Sequence, residues 1–188
     1  MQVLELKIYF EKYFSTIKKQ LHSIDFVQLN KAISTIKKAG QLKRKIIFVG
    51  NGGSASIAGH LTVDFTNAVG IRSINFNDPG IITCFSNDYG YENWVGKALD
   101  CYANSGDILV LISSSGRSKN MLVGANKAKS LGLDIITLTG FSFDNPLRKL
   151  GNINFWVDSD KYNIVEMTHH VWLLAIVDYI IELDNNRE

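Results

Sequence analysis

The chain has 188 residues, of which 46% are hydrophobic and 20% are charged. This length and balance predict one globular domain with an extensive core. The formal net charge is only +2, so no surface for direct binding of nucleic acid or of an anionic membrane is expected. A signal-like segment is not recognised, and no apolar run approaches the roughly 18 residues of a membrane span, which predicts a soluble, cytoplasmic protein. Cys84 and Cys101 are expected to be reduced and buried.

Two helices are predicted before the first strand. Apolar residues at steps of three and four predict helices over residues 3–22 and 25–42, with Asp25 as the cap of the second. This N-terminal α-hairpin, residues 1–42, is rich in large apolar side chains. It is therefore as suited to packing on another subunit as on its own sheet, which favours an oligomer. Residues 43–188 are expected to form the α/β core of the same single domain.

A glycine-rich loop follows the first strand. The apolar run at residues 46–49 is typical of a strand buried on both faces, and it ends in Gly-Asn-Gly-Gly at residues 50–53. Ser54 is predicted to cap the following helix. A strand, a glycine turn and a helix start direct free N–H groups and the positive end of a helix dipole at an anion. A tight turn without a ligand is the other interpretation, and the loop matches neither a Walker A motif nor a dinucleotide fingerprint.

A second loop of the same kind follows a second buried strand at residues 107–112. It reads Ser-Ser-Ser-Gly-Arg-Ser over residues 113–118 and precedes a predicted helix at residues 119–130. Parallel α/β sheets bind ligands beyond the carboxyl ends of their strands, so both loops are expected to open on one crevice. The neutral, hydroxyl-rich lining predicts a phosphate monoester on a small polar molecule rather than a nucleoside triphosphate with magnesium.

The remaining elements alternate between strands and helices, which predicts a doubly wound parallel sheet of about five strands. His60 and Asp64 lie four residues apart and share a face of the helix after the first loop. The other predicted elements are strands at residues 73–76, 134–139 and 153–157, helices at 79–85, 92–102 and 163–184, and a polar turn at 87–91.

Four motifs in this order resemble the sugar isomerase (SIS) domain family: Gly-Asn-Gly-Gly-Ser at 50–54, Asn-Asp-Tyr-Gly at 87–90, the serine motif at 113–118 and Ile-Thr-Leu-Thr-Gly at 136–140. More narrowly, they resemble its sedoheptulose-7-phosphate isomerase (phosphoheptose isomerase) branch. The resemblance implies a flavodoxin-like three-layer α/β sandwich, with a five-stranded parallel sheet preceded by the α-hairpin. It also implies a homotetramer, active sites shared between subunits, and a sugar phosphate as the small-molecule partner.

The resemblance assigns roles to individual positions. His60 matches a zinc-ligand histidine, and Asp64 stands where the family has a glutamate that serves as metal ligand and catalytic base. Ser114 replaces a usual threonine. The expected substrate- and phosphate-binding residues are Asn51, Gly52, Gly53 and Ser54 in the first loop, Ser113, Ser114, Ser115 and Ser118 in the second, and Asp88.

The last predicted helix departs from the family pattern. Aligned on Glu166, the family's glutamine and histidine, a metal ligand and a catalytic acid/base, are replaced by Val165 and Leu173. His169 is one turn from both positions, so it is predicted to take their place. The predicted catalytic residues are then Asp64 and His169, and a zinc ion, if bound, is expected on His60, Asp64 and His169. His170 is rotated about 100° from His169 and is expected to matter less.

Two functions from different classes fit these patterns. The first is an aldose–ketose sugar-phosphate isomerase that moves a proton through an enediol. The alternative is a catalytically inactive phosphosugar-binding regulator or scaffold, like the replication initiator-associating protein that the family includes. The identity of the sugar stays open, because Tyr162 and Ala68 replace an aspartate and an arginine that the family uses.

Overall fold

The structure, a computed structural model, describes residues 2–185. Five strands form one sheet in the order β2-β1-β3-β4-β5, and every neighbouring pair is parallel. The strands are β1 (Ile46–Gly50), β2 (Ser73–Asn75), β3 (Ile108–Ser113), β4 (Asp134–Thr139) and β5 (Ile153–Trp156). This is the flavodoxin strand order, and the predicted five-stranded parallel sheet is confirmed.

Helices cover both faces of the sheet. They are α1 (Gln2–Leu21), α2 (Phe26–Gln41), α3 (Gly53–Asn67), α4 (Pro79–Tyr89), α5 (Trp94–Tyr102), α6 (Lys119–Ser130) and α7 (Tyr162–Asn185), with a 3₁₀ turn at Arg148–Leu150. One core layer joins the sheet to α2, α3 and α7 through residues such as Phe65 and Trp172. The other joins it to α5 and α6 through residues such as Trp94 and Met121. The predicted three-layer sandwich is therefore confirmed.

The two N-terminal helices are attached to the rest of the domain at different places. The C-terminal end of α1 is fixed to the core, because Trp172 Nε1 donates to the Leu21 carbonyl (3.0 Å) and Gln20 Nε2 donates to the Asp158 carbonyl (2.8 Å). α2 begins at the predicted cap, where Asp25 Oδ1 accepts from the Val27 and Gln28 amides, and it packs on β5 and α7. The rest of α1 leaves large apolar side chains in solvent.

The region around α4 differs from the prediction. Asp78 caps the helix, which continues to Tyr89 and ends at Gly90 with a φ of 87°. The residues predicted as a polar turn, including Asp88, therefore lie in the last turn of α4. The prediction that the cysteines are buried is wrong, because Cys84 and Cys101 lie on exposed faces of α4 and α5.

The last helix, α7, is the most apolar of the described helices that reach membrane-spanning length. By length and composition alone it could cross a membrane, with a mean hydropathy of 1.4 over its most apolar window. Half of that window is buried inside the domain. This burial is typical of the core helix of a globular protein, so the hydropathy of α7 is weak evidence for a membrane span.

Candidate active site

The two predicted ligand loops lie side by side in the fold. β1 and β3 are neighbours in the sheet, and each runs directly into one of these loops. The first loop, residues 50–54, leads to α3 on one face of the sheet, whereas the serine loop, residues 113–118, leads to α6 on the other. Diverging connections from adjacent parallel strands leave a crevice at their carboxyl ends, which is the usual ligand position in such sheets.

The serine loop presents hydroxyl groups with few internal partners. Ser118 is the N-cap of α6, yet its side chain makes no capping hydrogen bond. Ser114 Oγ is buried and has no hydrogen-bond partner among the described residues. Ser115 Oγ accepts only from the Arg117 amide, at 3.3 Å. These hydroxyls and the free N–H groups of the α6 N-terminus can therefore bind the oxygens of a phosphate.

The first loop turns more tightly than the sequence suggested. Gly52 adopts a φ of 54° and is the N-cap, and α3 begins at Gly53. The predicted cap, Ser54, lies instead in the first helical turn, where it is buried and its amide donates to the Asn51 carbonyl at 3.0 Å. A positive φ is readily adopted by glycine, which explains why the helix starts earlier than a serine cap would allow.

A pair of asparagines joins the two loops. Asn51 Nδ2 donates to Asn120 Oδ1 (3.1 Å), and Asn120 Nδ2 donates back to Asn51 Oδ1 (2.9 Å), which also accepts from the Tyr91 hydroxyl (3.2 Å). Asn120 lies in the first turn of α6 and is buried. Sequence reasoning missed it, because its contact with Asn51 joins segments that are 69 residues apart in the chain. The amide of Asn51 is thus held in one orientation at the floor of the crevice.

Asp88, predicted to bind the sugar, makes its side-chain contacts within α4. Asn87 Nδ2 donates to Asp88 Oδ1 at 2.9 Å, and Cys84 Sγ lies 3.8 Å from Oδ2. The carboxylate is exposed, and among the described residues it bonds to neither loop. The sugar-binding role of Asp88 therefore stays a prediction.

The start of α7 lies over both loops. A Cβ atom added at Gly140, beyond β4, would lie 2.7 Å from Val165 Cγ2 and 3.3 Å from the Ser114 carbonyl oxygen. A Cβ atom added at Gly53 would lie 2.5 Å from Glu166 Oε2. Only glycines at these two positions allow α7 to approach so closely. Burial raises the pKa of the Glu166 carboxyl.

A chain of three titratable groups connects α3 to α7. His60 Nε2 lies 3.2 Å from Asp64 Oδ2, and His60 Nδ1 lies 2.9 Å from His170 Nε2. Because a carboxylate cannot donate, the His60 proton is assigned to Nε2, facing Asp64, which leaves Nδ1 to accept from His170 Nε2. His170 Nδ1 is then left as a basic nitrogen. Burial and, next, His60 lower the pKa of His170, which outweighs the opposite effect of Asp64.

The prediction that His169 joins His60 and Asp64 is wrong. The His169 side chain is 0% exposed, and its Nε2 donates to the Thr139 carbonyl at 3.0 Å. It lies on the same buried stripe of α7 as Val165 and Leu173, which pack into the core. A rotation of about 100° per residue places His170, and not His169, opposite His60. Burial lowers the pKa of His169 to about 4.

The predicted zinc ligands do not come together. Within residues 2–185 no group of three His, Cys, Asp or Glu side chains is arranged to hold a metal ion. His169 is buried elsewhere, and both ring nitrogens of His60 already face other side chains, Nε2 the Asp64 carboxylate at 3.2 Å and Nδ1 the His170 ring at 2.9 Å. The residues present do not fit the predicted ligand set, so no chemical step is assigned to a metal here.

Two named relatives show the likeness at the level of sequence. The phosphoheptose isomerase of Cytophaga hutchinsonii is 36% identical over 143 residues, which cover 67% of this chain and 75% of that protein. The phosphoheptose isomerase of Helicobacter pylori is 31% identical over 170 residues, with coverage of 87% and 88%. The likeness therefore extends through the crevice and most of the chain.

Solved structures show the same fold. A phosphoheptose isomerase from Francisella tularensis superposes with a TM-score of 0.86 at 25% identity and covers 97% of this chain and 99% of its own. One from Neisseria gonorrhoeae gives a TM-score of 0.86 at 22% identity, with coverage of 96% and 99%. The family profile described as SIS domain matches residues 9–140. The chain therefore belongs to the SIS domain family.

Proposed function

We propose that this chain is an aldose–ketose sugar-phosphate isomerase of the phosphoheptose isomerase type. The observation that carries the proposal is the crevice itself, where free serine hydroxyls lie beside a fixed first loop and beneath α7. Its relatives are named as isomerases, which favours the enzyme over the inactive regulator or scaffold.

The serine loop is suited to anchoring the phosphate. Ser115 and Ser118 present hydroxyls at the N-terminus of α6, where the helix dipole favours negative charge. Arg117 is exposed in the same loop and adds a positive charge nearby. The phosphate is therefore held by hydrogen bonds from hydroxyl and N–H groups beside one positive charge, and the sugar chain extends towards the first loop and α7.

The histidine pair is suited to moving protons between sugar oxygens. In this arrangement Asp64 orients His60, His60 orients His170, and the free Nδ1 of His170 accepts or returns a proton at the carbonyl or hydroxyl oxygen. Asp64, predicted from sequence as the base, then acts through His60. The lowered pKa of His170 keeps its ring largely neutral at pH 7, so it can take up a proton.

The test separates binding from turnover. Sedoheptulose 7-phosphate is incubated with the protein in deuterated water, and NMR follows the entry of deuterium at C1 of the ketose and at C2 of the aldose product. Replacing Ser115 and Ser118 together by alanine is expected to weaken binding by on the order of 2–4 kcal/mol. His170→Ala is expected to lower exchange by about 100-fold or more while binding is retained. Ser130→Ala and His22→Ala, at exposed sites outside the crevice, are the matched controls.

Each outcome has a defined meaning. Phosphate-dependent binding without any exchange by the parent protein would favour the regulator or scaffold. Equal affinity for the phosphorylated and the unphosphorylated sugar would contradict the assignment of the serine loop. Exchange by His170→Ala at the parent rate would contradict the histidine pair.

The proposal extends to assembly and location. A homotetramer is supported by the exposed apolar side chains of α1, which need a cover. A cytoplasmic location, a sugar phosphate as the partner and no direct nucleic acid binding complete the proposal. Zinc, which the resemblance implies, stays a prediction, and measuring the metal content of the purified protein tests it.

A further inference from the structure

Glu166 is the one carboxylate that α7 places against the first loop. Its Oε2 approaches Gly53 so closely that an added Cβ would lie 2.5 Å away, and the preceding residue, Val165, lies over Gly140 and the Ser114 carbonyl. Glu166 therefore lies where α7 spans the space between the first loop and the serine loop. A phosphosugar anchored by the serine loop has its carbon chain in the same space.

The Glu166 carboxylate is also free to react. It is half-buried and forms no salt bridge and no side-chain hydrogen bond among the described residues. Asp64, by comparison, is engaged by His60 Nε2 at 3.2 Å. The Gly53 backbone, which lies beside the Glu166 oxygens, carries no charge.

The position of Glu166 relative to His170 suits a two-group proton transfer. The two residues are one turn apart on one face of α7, which corresponds to a rise of about 6 Å. The titratable groups on the two packed helices that border the crevice are His60 and Asp64 on α3 and His170 on α7. His60 lies between Asp64 and His170 and contacts both, which leaves Glu166 as the separate acid/base group.

We propose that Glu166 is the catalytic residue that moves the carbon-bound proton. In the direction from ketose to aldose, the carboxylate takes a proton from C1, the C1–H electron pair forms the C1=C2 bond, and the C2 carbonyl pair moves to its oxygen, which gives an enediolate. The neutral His170 ring takes the C1 hydroxyl proton at Nδ1 and gives it to the C2 oxygen. The Glu166 acid then returns its proton to C2, where the C1=C2 pair forms the new C2–H bond, and C1=O forms. Every proton and electron pair is accounted for, and no co-reactant is needed.

The environment of Glu166 supports this role. Burial raises the pKa of Glu166. A carboxylate whose conjugate acid has a raised pKa is a stronger base towards a carbon-bound proton. Val165 and Leu173, on the buried stripe of α7, are packed into the core and offer no acid or base. Glu166, on the neighbouring face, offers one.

The inference rests on the proposed isomerase function, and its test is the near-isosteric variant Glu166→Gln. Isomerisation of sedoheptulose 7-phosphate and deuterium exchange at C1 and C2 are expected to fall together, by about 100-fold or more. Affinity for the sugar phosphate and the melting temperature are expected to stay close to the parent values. Glu166→Asp is expected to recover part of the activity, and Glu182→Gln, at an exposed site on α7, is the matched control.

The pH profile gives a second readout. The acid limb of kcat/KM in the parent protein is expected above the ordinary glutamate pKa, and the residual activity of Glu166→Gln is expected to lack that limb. Exchange by Glu166→Gln at the parent rate would overturn the inference and leave the isomerase function standing. Parallel losses of affinity and activity would assign Glu166 a structural role only. An inactive parent protein that still binds the sugar phosphate would overturn both proposals.

Discussion

Two adjacent histidines on α7 have different surroundings because successive residues of a helix point about 100° apart. His170 lies at the crevice and forms one hydrogen bond with His60, whereas His169 is buried in the core. A carbonyl only accepts hydrogen bonds, so the His169 Nε2 that bonds to the Thr139 carbonyl carries the ring proton. The other nitrogen, Nδ1, is buried and has no hydrogen-bond partner within residues 2–185. A second proton would place an uncompensated charge there.

This burial predicts an acid-sensitive stability. The pKa of His169 falls from 6.5 in the unfolded chain to about 4 in the folded one, so the unfolded chain binds the proton more readily. Neutral His169 makes its full contribution to the free energy of unfolding above pH 6.5. This contribution, on the order of 3 kcal/mol, is lost as the pH falls towards 4. The free energy of unfolding, measured by urea titration from pH 7 to pH 4, checks this.

The control for this measurement is His169→Gln, which keeps an amide donor for the Thr139 carbonyl but cannot take up a proton. Its free energy of unfolding is expected to decline less steeply with acid than that of the parent protein. His22→Ala, at an exposed position, is expected to follow the parent curve. Identical slopes for the parent and His169→Gln would contradict the account.

At the scale of elements, the asparagine pair fixes α6 to the loop that opens α3. The two amides satisfy each other, and the Asn120 side chain is buried. Asn120→Ala leaves the Asn51 amide without this partner, so unfolding is expected to become easier by about 1–3 kcal/mol. Sugar-phosphate affinity is expected to fall as well, because the first loop loses its fixed position. Thermal denaturation and calorimetric titration measure the two effects.

The control for the pair lies on the same helix. Asn126→Ala removes an exposed amide that bonds only to the Leu122 carbonyl, and it is expected to change neither quantity. The double variant Asn51→Ala with Asn120→Ala is expected to cost clearly less than the sum of the single variants, since both remove one interaction. Additive losses would show that the two residues act independently.

The success of the sequence prediction differed between elements for physical reasons. Buried strands such as β3 and the two loops are local patterns, so apolar runs and turn residues were sufficient to predict them. The orientation of α7 was not predictable in this way, because apolar residues occur around much of the helix and do not define a single buried stripe. The position of Asn120 depends on a contact between distant segments. Neither feature is encoded in a single stretch of sequence.

At the scale of the whole molecule, α1 exposes an apolar surface that the domain does not cover. Phe14 is 61% exposed and Phe10 is 45% exposed, although both are large apolar side chains. Near the other end of α1, a groove of about 560 Å³ opens between α1, α2 and α7, lined by residues such as Ile33 and Tyr179. Surfaces of this kind usually mark sites of association.

Replacing Phe10 and Phe14 together by glutamate is therefore expected to dissociate the proposed homotetramer. The charges cannot be buried without a partner, so association becomes unfavourable. Light scattering coupled to size-exclusion chromatography measures the mass. Lys12→Glu, at an exposed polar position of α1, is the control and is expected to keep the parent mass. An unchanged mass for the double variant would show that α1 is peripheral to assembly.

A single continuous helix, α7, carries both the crevice residues and one wall of the apolar groove. Its 24 residues span about 36 Å, with Glu166 and His170 near its start and Ala175 and Tyr179 further along. A displacement of this helix therefore moves both ends at once. If a neighbouring subunit seats in the groove and thereby fixes α7, assembly and substrate binding are thermodynamically linked. Subunit association then raises the affinity for the sugar phosphate, and the sugar phosphate strengthens subunit association by the same factor. Dilution that dissociates the subunits therefore lowers the affinity for the sugar phosphate.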